Sequence, residues 1–371
     1  MLLVFGVFIF SVAVQLFYYL FIFKKLVFYK VKELNNNKLP ISVIICAKDE
    51  ADNLKQFLPS IYKQDYPDFE LVLIDDRSID DTWEIMESFR EKYPDKTKVV
   101  RVEFSDNPRF VANKKYALTL GIKATKNKHL LFTDADCKPV SNNWISNISA
   151  SFNTEKKLIL GYGKYTSKKN SLLNKLIRFE TLQTAMQYLS YALNGNAYMG
   201  VGRNMAYTKD LFFDNNGFYT HLDILSGDDD LFVNEVSTSE NTTICINKDA
   251  FTESPPKTTW KDWIHQKRRH ISTANHYKLK HKVMLSLYYL SLIAFYITTL
   301  VLLLRLYQWK IVAILVSIRF IIWFFVQYKI IKKLGEKKLI LYLPFLEIGL
   351  LVFQFYIFVL NLFNKPKLWK N

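Results

Sequence analysis

Two aspartates separated by one small residue, Asp134-Ala135-Asp136, close an apolar run that begins at Leu130. A short run of this kind, bounded by Lys138-Pro139, predicts a buried strand that delivers polar side chains at its carboxyl end. Side chains two apart on a strand face the same way, so an extended Asp134 and Asp136 would turn toward one partner. Adjacent carboxylates repel unless something positive lies between them. Hard oxygen ligands suit Mg2+ or Mn2+, and either ion would bridge to a nucleotide diphosphate. The bland reading is a solvated turn after a strand, and the surrounding residues decide between the two.

Those residues need elements to position them. The run Ile41 to Cys46 leads into Ala47-Lys48-Asp49-Glu50, and a helical pattern follows from Asn53 to Tyr62. Phe69 to Ile74 predicts a second buried strand ending at Asp75-Asp76-Arg77-Ser78, with Asp80-Asp81-Thr82 capping a helix from Trp83 to Tyr93. Val99 to Val102, a helix from Tyr116 to Ala124 and the strand Leu130 to Thr133 continue the rhythm. Strand, helix, strand in this order predicts an α/β unit with a parallel sheet and helices on both faces. Ligands of such sheets bind beyond the carboxyl ends of the strands. Glu50, Asp75, Asp76, Asp134 and Asp136 all fall there.

Beyond this unit, the chain of 371 residues is apolar at its ends. Leu2 to Phe23 carries no charge and is long enough to cross a bilayer; without a basic start or a small-residue cleavage site it reads as an uncleaved anchor. Met284 to Leu304, Ile311 to Ile331 and Leu339 to Phe363 are three further candidates. Arg319 and Glu347 inside them are expensive in lipid, so each is expected to face a neighbouring helix, a cavity or a lipid head group. Residues 1–24, 25–282 and 283–371 thus divide into an anchor, a soluble unit and a C-terminal group of about three spans. Lys24, Lys25, Lys30 and Lys32 on one side, and Lys278, Lys280 and Lys282 on the other, place both ends of the soluble unit in the cytosol. Lys365, Lys367 and Lys370 conflict with a fourth full span, so the last segment is open to a re-entrant or interfacial reading.

The formal charge of +16 follows from basic loops beside a membrane and attraction to anionic lipid. It does not imply nucleic acid, because the lysines cluster beside the apolar spans rather than along one soluble face. Cys46, Cys137 and Cys245 lack metal-ligand spacing and fit reduced thiols in a cytosolic unit.

Three later motifs carry further polar groups. Gly200-Val201-Gly202-Arg203-Asn204 pairs glycines that admit close backbone approach with two donor side chains, or is a plain turn before a strand. Ser226-Gly227-Asp228-Asp229-Asp230-Leu231 sets three carboxylates before a helical run, where one would suffice as a cap. Crowding of like charge raises one member's pKa, which suits a base working near neutrality. Gln266-Lys267-Arg268-Arg269-His270 lies in a basic amphipathic stretch, Trp260 to Tyr277, suited to a membrane surface. Leu172 to Leu193 predicts a second helix packed on the bilayer or the spans.

Taken in order, these motifs resemble the inverting family 2 glycosyltransferases of GT-A fold, a Rossmann-like nucleotide-diphospho-sugar transferase fold, in their membrane-bound bacterial polysaccharide-synthesis members. The resemblance runs from Ile41 to about Asn275. Ala47-Lys48-Asp49-Glu50, Gln64-Asp65-Tyr66-Pro67, Asp75-Asp76-Arg77-Ser78 and the Asp134-Ala135-Asp136 triplet carry it. Asn113-Lys114-Lys115-Tyr116-Ala117-Leu118 is similar to a Gly-Lys-x-x-Ala-Leu segment, with Asn113 where a glycine is usual. The resemblance implies that Ala47, Glu50, Asp75 or Asp76, Lys114 and Asp134 hold a nucleotide-sugar donor and that Asp134 and Asp136 hold a divalent cation, Mg2+ or Mn2+. It implies an acceptor or diphosphate site at Arg203, Asn204, Gln266, Arg269 and His270, with His270 where processive synthases carry a tryptophan. The base would be Asp229 by a Gly-Asp-Asp match, or Asp228 by a Glu-Asp-x-Asp-Leu match. The implied acceptor is a lipid-linked sugar or growing saccharide at the cytoplasmic membrane of a bacterium, with envelope-biosynthesis proteins as partners. A processive, extruding synthase, single transfer onto a polyprenyl phosphate, and an inactive membrane scaffold of the same fold are the competing expectations.

Overall fold

The computed structural model describes residues 1–31, 38–103, 114–224 and 226–363. Lys32, Asn113, Lys365, Lys367 and Lys370 lie outside the described residues.

The strands are β1 (Ile41–Ala47), β2 (Phe69–Asp75), β3 (Thr97–Arg101), β4 (His129–Phe132), β5 (Lys138–Pro139), β6 (Leu158–Leu160), β7 (Gly163–Tyr165), β8 (Met205–Thr208), β9 (Thr242–Ile244) and β10 (Thr252–Ser254). Seven form one sheet in the order β3-β2-β1-β4-β8-β6-β9, and β5-β10-β7 form a second, small sheet. The parallel half, β3 to β4, matches the strands expected from sequence, and the helices Ala51–Tyr62, Thr82–Lys92 and Lys114–Ala124 alternate with them. Beyond the strands expected to pair in parallel, β8 runs antiparallel to both β4 and β6. β8 and β6 are too short for a periodicity signal, and their partners are set by tertiary packing.

Strands β1 and β2 read as unbroken apolar runs because both faces are covered. Val43, Ile45, Leu71 and Leu73 pack with Leu54, Leu58 and Ile61 of the helix Ala51–Tyr62. Ile44, Cys46, Val72 and Ile74 face the opposite way, toward Ala117, Leu118 and Ile122, and that core continues into Leu176, Leu182 and the apolar helices at the chain ends. The period of two splits one strand between two cores. All three cysteines are free and buried.

Four helices are long and apolar enough to cross a membrane: Leu2–Phe28, Leu279–Leu304, Trp309–Leu334 and Lys337–Phe363. Each exceeds its sequence-predicted extent by a few residues, because backbone hydrogen bonding continues past the point where charge begins. Arg319 is fully buried and forms a two-bond pair with Glu347, Nη1 to Oε2 at 3.0 Å and Nη2 to Oε1 at 2.9 Å. Tyr296 donates to the same carboxylate, and Arg319 also donates to Tyr19 (3.2 Å). Gln15 donates to Ser291 Oγ at 2.7 Å. One polar cluster therefore joins all four helices, which is why two costly charges are tolerated there. Replacing Arg319 with Met leaves Glu347 a buried charge without its counter-ion and should cost about 3 to 5 kcal/mol. Thermal unfolding in detergent checks this, and Arg319→Met/Glu347→Leu should recover most of the loss.

The helix Leu172–Leu193 is buried along nearly its whole length, between the sheet core and the apolar helices. Its Gln183 and Gln327 exchange side-chain amide bonds of 2.9 and 3.0 Å. The stretch expected as one basic helix to Tyr277 ends earlier, as helix Trp260–Ser272 followed by a short 3-10 turn, Thr273–His276. Trp263 stacks face to face on Phe353, with ring centroids 3.8 Å apart, and docks this helix on the last apolar one.

Candidate functional site

The carboxyl ends of β1, β2 and β4 open on one edge of the sheet, where the chain must turn into helices. Asp49 and Arg77 both take positive φ there, 54° and 58°. The two turns brace each other: the Asp49 amide donates to Ser78 Oγ (3.0 Å), the Glu50 amide to Thr82 Oγ1 (2.8 Å) and the Asp76 amide to the Ala47 carbonyl (2.8 Å). Asp75 and Asp76 are fully buried. Asp75 Oδ1 accepts from the Ser78 amide (3.1 Å), and Arg77 Nε donates to Asp76 Oδ1 (2.9 Å). Among the described residues, Oδ2 of each has no hydrogen-bond partner. Arg101 Nε approaches Asp75 Oδ2 only to 3.8 Å, so both buried acceptors lack a hydrogen-bond donor, and a ligand with N–H or O–H groups would supply one. Ala47 lies beneath them with its carbonyl engaged, and Glu50 begins the helix Ala51–Tyr62 with its carboxylate held by Asn53.

β4 ends at Phe132, before the acidic pair. The extended geometry expected for Asp134 and Asp136 therefore fails, and a turn at Ala135-Asp136 replaces it. The turn still gathers them: a ligand atom from each of Asp134, Asp136 and Cys137 lies within 4.8 Å of the others. Burial first and then the charge of Asp134 raise the Asp136 carboxyl above its usual range, while Arg203 works the other way. Burial also raises the Cys137 thiol well above its usual value, so the site offers carboxylate oxygens rather than a thiolate. Two crowded carboxylates with excess negative charge fit a hard divalent cation.

Lys114 joins this pair to the second acidic motif. Its Nζ lies 3.1 Å from Asp134 Oδ1 and 3.0 Å from Asp228 Oδ2. Burial opposes the charge on Lys114, but Asp134 and Asp228 outweigh it and hold the ammonium well above its usual pKa. Asp228 has the mirror-image balance: burial raises it, but Lys114 brings it below the usual carboxylate range.

Asp229 caps the helix Asp230–Val236 through the Asp230 amide (2.7 Å) and accepts the Gly202 amide at 2.8 Å. Burial, then the charges of Asp228 and Asp230, raise its pKa to about 7. Asp230 is the structural member of the three, because it is buried and accepts from Thr273 and from Tyr277 (2.7 Å).

The remaining residues named from sequence separate here. Arg203 lies over the Tyr165 ring (4.3 Å to the centroid) and donates to Ser254 Oγ (3.0 Å). Gln266 donates weakly to the Tyr165 hydroxyl (3.4 Å). Arg269 Nε is buried without a hydrogen-bond partner among the described residues. Burial lowers its pKa, with the charges of Asp228, Asp134 and Asp229 opposing. His270 is exposed at the last turn of its helix.

Asn204 corrects the expectation of an acceptor contact. It is fully buried; Nδ2 donates to the Tyr162 and Ala250 carbonyls (3.0 and 2.7 Å) and Oδ1 accepts from Trp144 Nε1 (3.1 Å). Its polar groups brace the loop behind Arg203. Asn204→Ala would leave the Ala250 carbonyl and Trp144 Nε1 unpaired, and the Tyr162 carbonyl with only the Thr252 amide (3.3 Å), and should destabilise the fold by about 2 kcal/mol. A lowered melting temperature with unchanged acceptor KM is the expected result. Tyr165, Thr273 and Tyr277 escape sequence reasoning, because a three-residue strand and a 3-10 turn leave no periodic signal.

The sequence matches the family model described as Glycosyl transferase family 2 over residues 42–213. It matches that of Glycosyl transferase family group 2 over residues 129–330, more than half of the chain. The chain belongs to the family 2 glycosyltransferases. A poly(ribitol-phosphate) beta-glucosyltransferase of Bacillus spizizenii is 28% identical over 100 residues, 26% of this transferase and 15% of the relative, so the chain aligns with only a small part of that protein. A mannosyltransferase of Pyrobaculum calidifontis, PcManGT, solved with GDP-Man and Mn2+, superposes with a TM-score of 0.59 at 15% identity, covering 90% of this transferase and 98% of that chain. That likeness supports the GT-A fold.

Proposed function

We propose that this glycosyltransferase moves a sugar, with inversion, from a nucleotide-sugar to a lipid-linked acceptor at the cytoplasmic face of a bacterial membrane. The observation that carries the reading is the Lys114 bridge, which puts the Asp134-Asp136 pair and the Asp228-Asp229 pair at one sheet edge. Residues 25–282 form the cytosolic unit, between an anchor at 1–24 and the apolar helices of 283–371. Ala47, Glu50, Asp75 and Asp76 line the nucleoside end, with the Oδ2 atoms of the two aspartates, which carry no hydrogen bond among the described residues, accepting from base or ribose. Asp134 and Asp136 hold Mg2+ or Mn2+, which neutralises charge on the departing diphosphate when bound.

Lys114 and Arg269 supply fixed positive charge at the same leaving group. Asp229 takes the proton of the acceptor hydroxyl as that oxygen attacks the anomeric carbon from the face opposite the diphosphate. Gly202 and the Asp230 amide fix the carboxylate, and each oxygen keeps a lone pair for the acceptor. Arg203, Gln266 and His270 border the acceptor side. The docking of helix Trp260–Ser272 on the last apolar helix supports an acceptor that arrives from the membrane plane, as does the burial of Leu172–Leu193 against the same layer.

The test uses full-length protein in native lipid with Mn2+ and UDP- or GDP-linked radiolabelled sugars. Label should enter organic-extractable material with the anomeric configuration of the donor inverted. Retained configuration would overturn the inverting mechanism. Label confined to aqueous polymer would assign the synthase alternative, and label in neither fraction would favour the inactive scaffold.

A further inference from the structure

The helix Lys114–Ala124 opens with two lysines, and only the first belongs to the chemistry described above. Lys115 is 1% exposed. A buried ammonium is costly unless its protons are taken, and here Nζ donates to the His221 carbonyl at 2.8 Å and to the Ile224 carbonyl. Both carbonyls belong to the segment that leads into Gly227-Asp228-Asp229. Its regular structure, among the described residues, is a single 3-10 turn, Tyr219–His221.

The His221 carbonyl also accepts the Ile224 amide at 3.2 Å, so Lys115 is its second donor, and the same ammonium closes the Ile224 carbonyl. Gly227 follows at φ 103°, and a Cβ there would come within 2.5 Å of the Leu231 side chain, so the backbone bends sharply just before the acidic motif. A chain with few internal bonds and a sharp bend takes its position from outside contacts. Lys114 holds it at the Asp228 carboxylate, and Lys115 holds it four and seven residues upstream.

We propose that Lys115 is a positioning residue for sugar transfer: by fixing the His221 and Ile224 carbonyls, it sets where the Asp228-Asp229 motif stands relative to the donor-side helix. This rests on the reading that the motif carries the base. The first turn of one helix thus spaces the diphosphate site and the base, with Lys114 acting through charge and Lys115 through backbone. Lys115 touches no substrate in this account and acts only through the loop.

The test is Lys115→Met in the full chain in lipid nanodiscs, with three readouts: turnover of the donor that wild type uses, affinity for the corresponding nucleoside diphosphate with Mn2+, and amide hydrogen exchange. Turnover should fall about 10- to 100-fold, the scale of displacing a catalytic group by around an ångström, while nucleotide affinity stays within about twofold. Exchange should rise at residues 219–229 and stay unchanged in β1 and β2. Lys115→Arg, which keeps the charge and the donors, should restore much of the turnover.

Wild-type turnover in Lys115→Met overturns the proposal. So does a joint loss of turnover and affinity with exchange rising across the sheet, or failure of both variants to fold; either assigns Lys115 to core packing. Asp229→Asn run alongside separates the two claims. If it keeps turnover, the assignment of the base fails, whereas the local exchange and the turnover of Lys115→Met still judge the positioning role.

Discussion

Asp136→Asn should lose at least about 100-fold in turnover, and raising Mn2+ should recover only part of it, because several kcal/mol of charge stabilisation on the leaving diphosphate go with the cation. The structure gives the reason in the free protein. Asp136 is crowded by Asp134 and by burial, and its pKa is raised because a negative charge there is poorly compensated. An amide removes that excess and with it the attraction for a divalent ion, so the variant should fold at least as stably as wild type while binding Mn2+ more weakly. Metal titration followed by nucleotide release checks both halves. A variant with full turnover and unchanged metal dependence would remove Asp136 from the site.

Asp229→Asn should abolish turnover, by about 1,000-fold or more, with donor binding retained, since a general base contributes roughly 100- to 10,000-fold. The choice of Asp229 over Asp228 rests on their environments. Lys114 holds Asp228 below the usual carboxylate range, which makes it a weak proton acceptor already engaged by an ammonium. Burial and two flanking carboxylates raise Asp229 to about 7, close to where a base works best. The sign for activity follows directly. Protonated Asp229 cannot accept a proton, so kcat/KM should fall as pH drops through about 7 and level off above it. The acidic limb should disappear from the residual rate of Asp229→Asn.

Much of the parallel half of the sheet was legible because β1 and β2 are long apolar runs closed by acidic turns. Local pattern and ligand position coincide there. The antiparallel strands were not legible. β8 and β6 span four and three residues, too short to signal their pairing. The charged residues within the apolar helices were readable as partnered, yet the pairing of Arg319 with Glu347 depends on how the helices pack.

At the site, residue types pointed to the acidic edge, but roles depended on burial. Asn204 looked like a ligand contact beside Arg203 and turns inward to three protein partners. Asp228, Asp229 and Asp230 are alike in sequence and differ through contacts from Lys114, Gly202, Thr273 and Tyr277, all distant in the chain. Lys115 is one residue from a motif position, and only its burial against the His221 loop distinguishes it.

The most direct measurement is nucleotide release by wild type, Asp229→Asn and Asp228→Asn, in native lipid with Mn2+ and a panel of UDP- and GDP-sugars, with donor binding measured on the same samples. Release from one donor by wild type is expected, lost in Asp229→Asn while the donor still binds, with a smaller loss in Asp228→Asn that weaker diphosphate binding accompanies. Release that persists in Asp229→Asn and vanishes in Asp228→Asn with donor binding intact would contradict this assignment and move the base to Asp228.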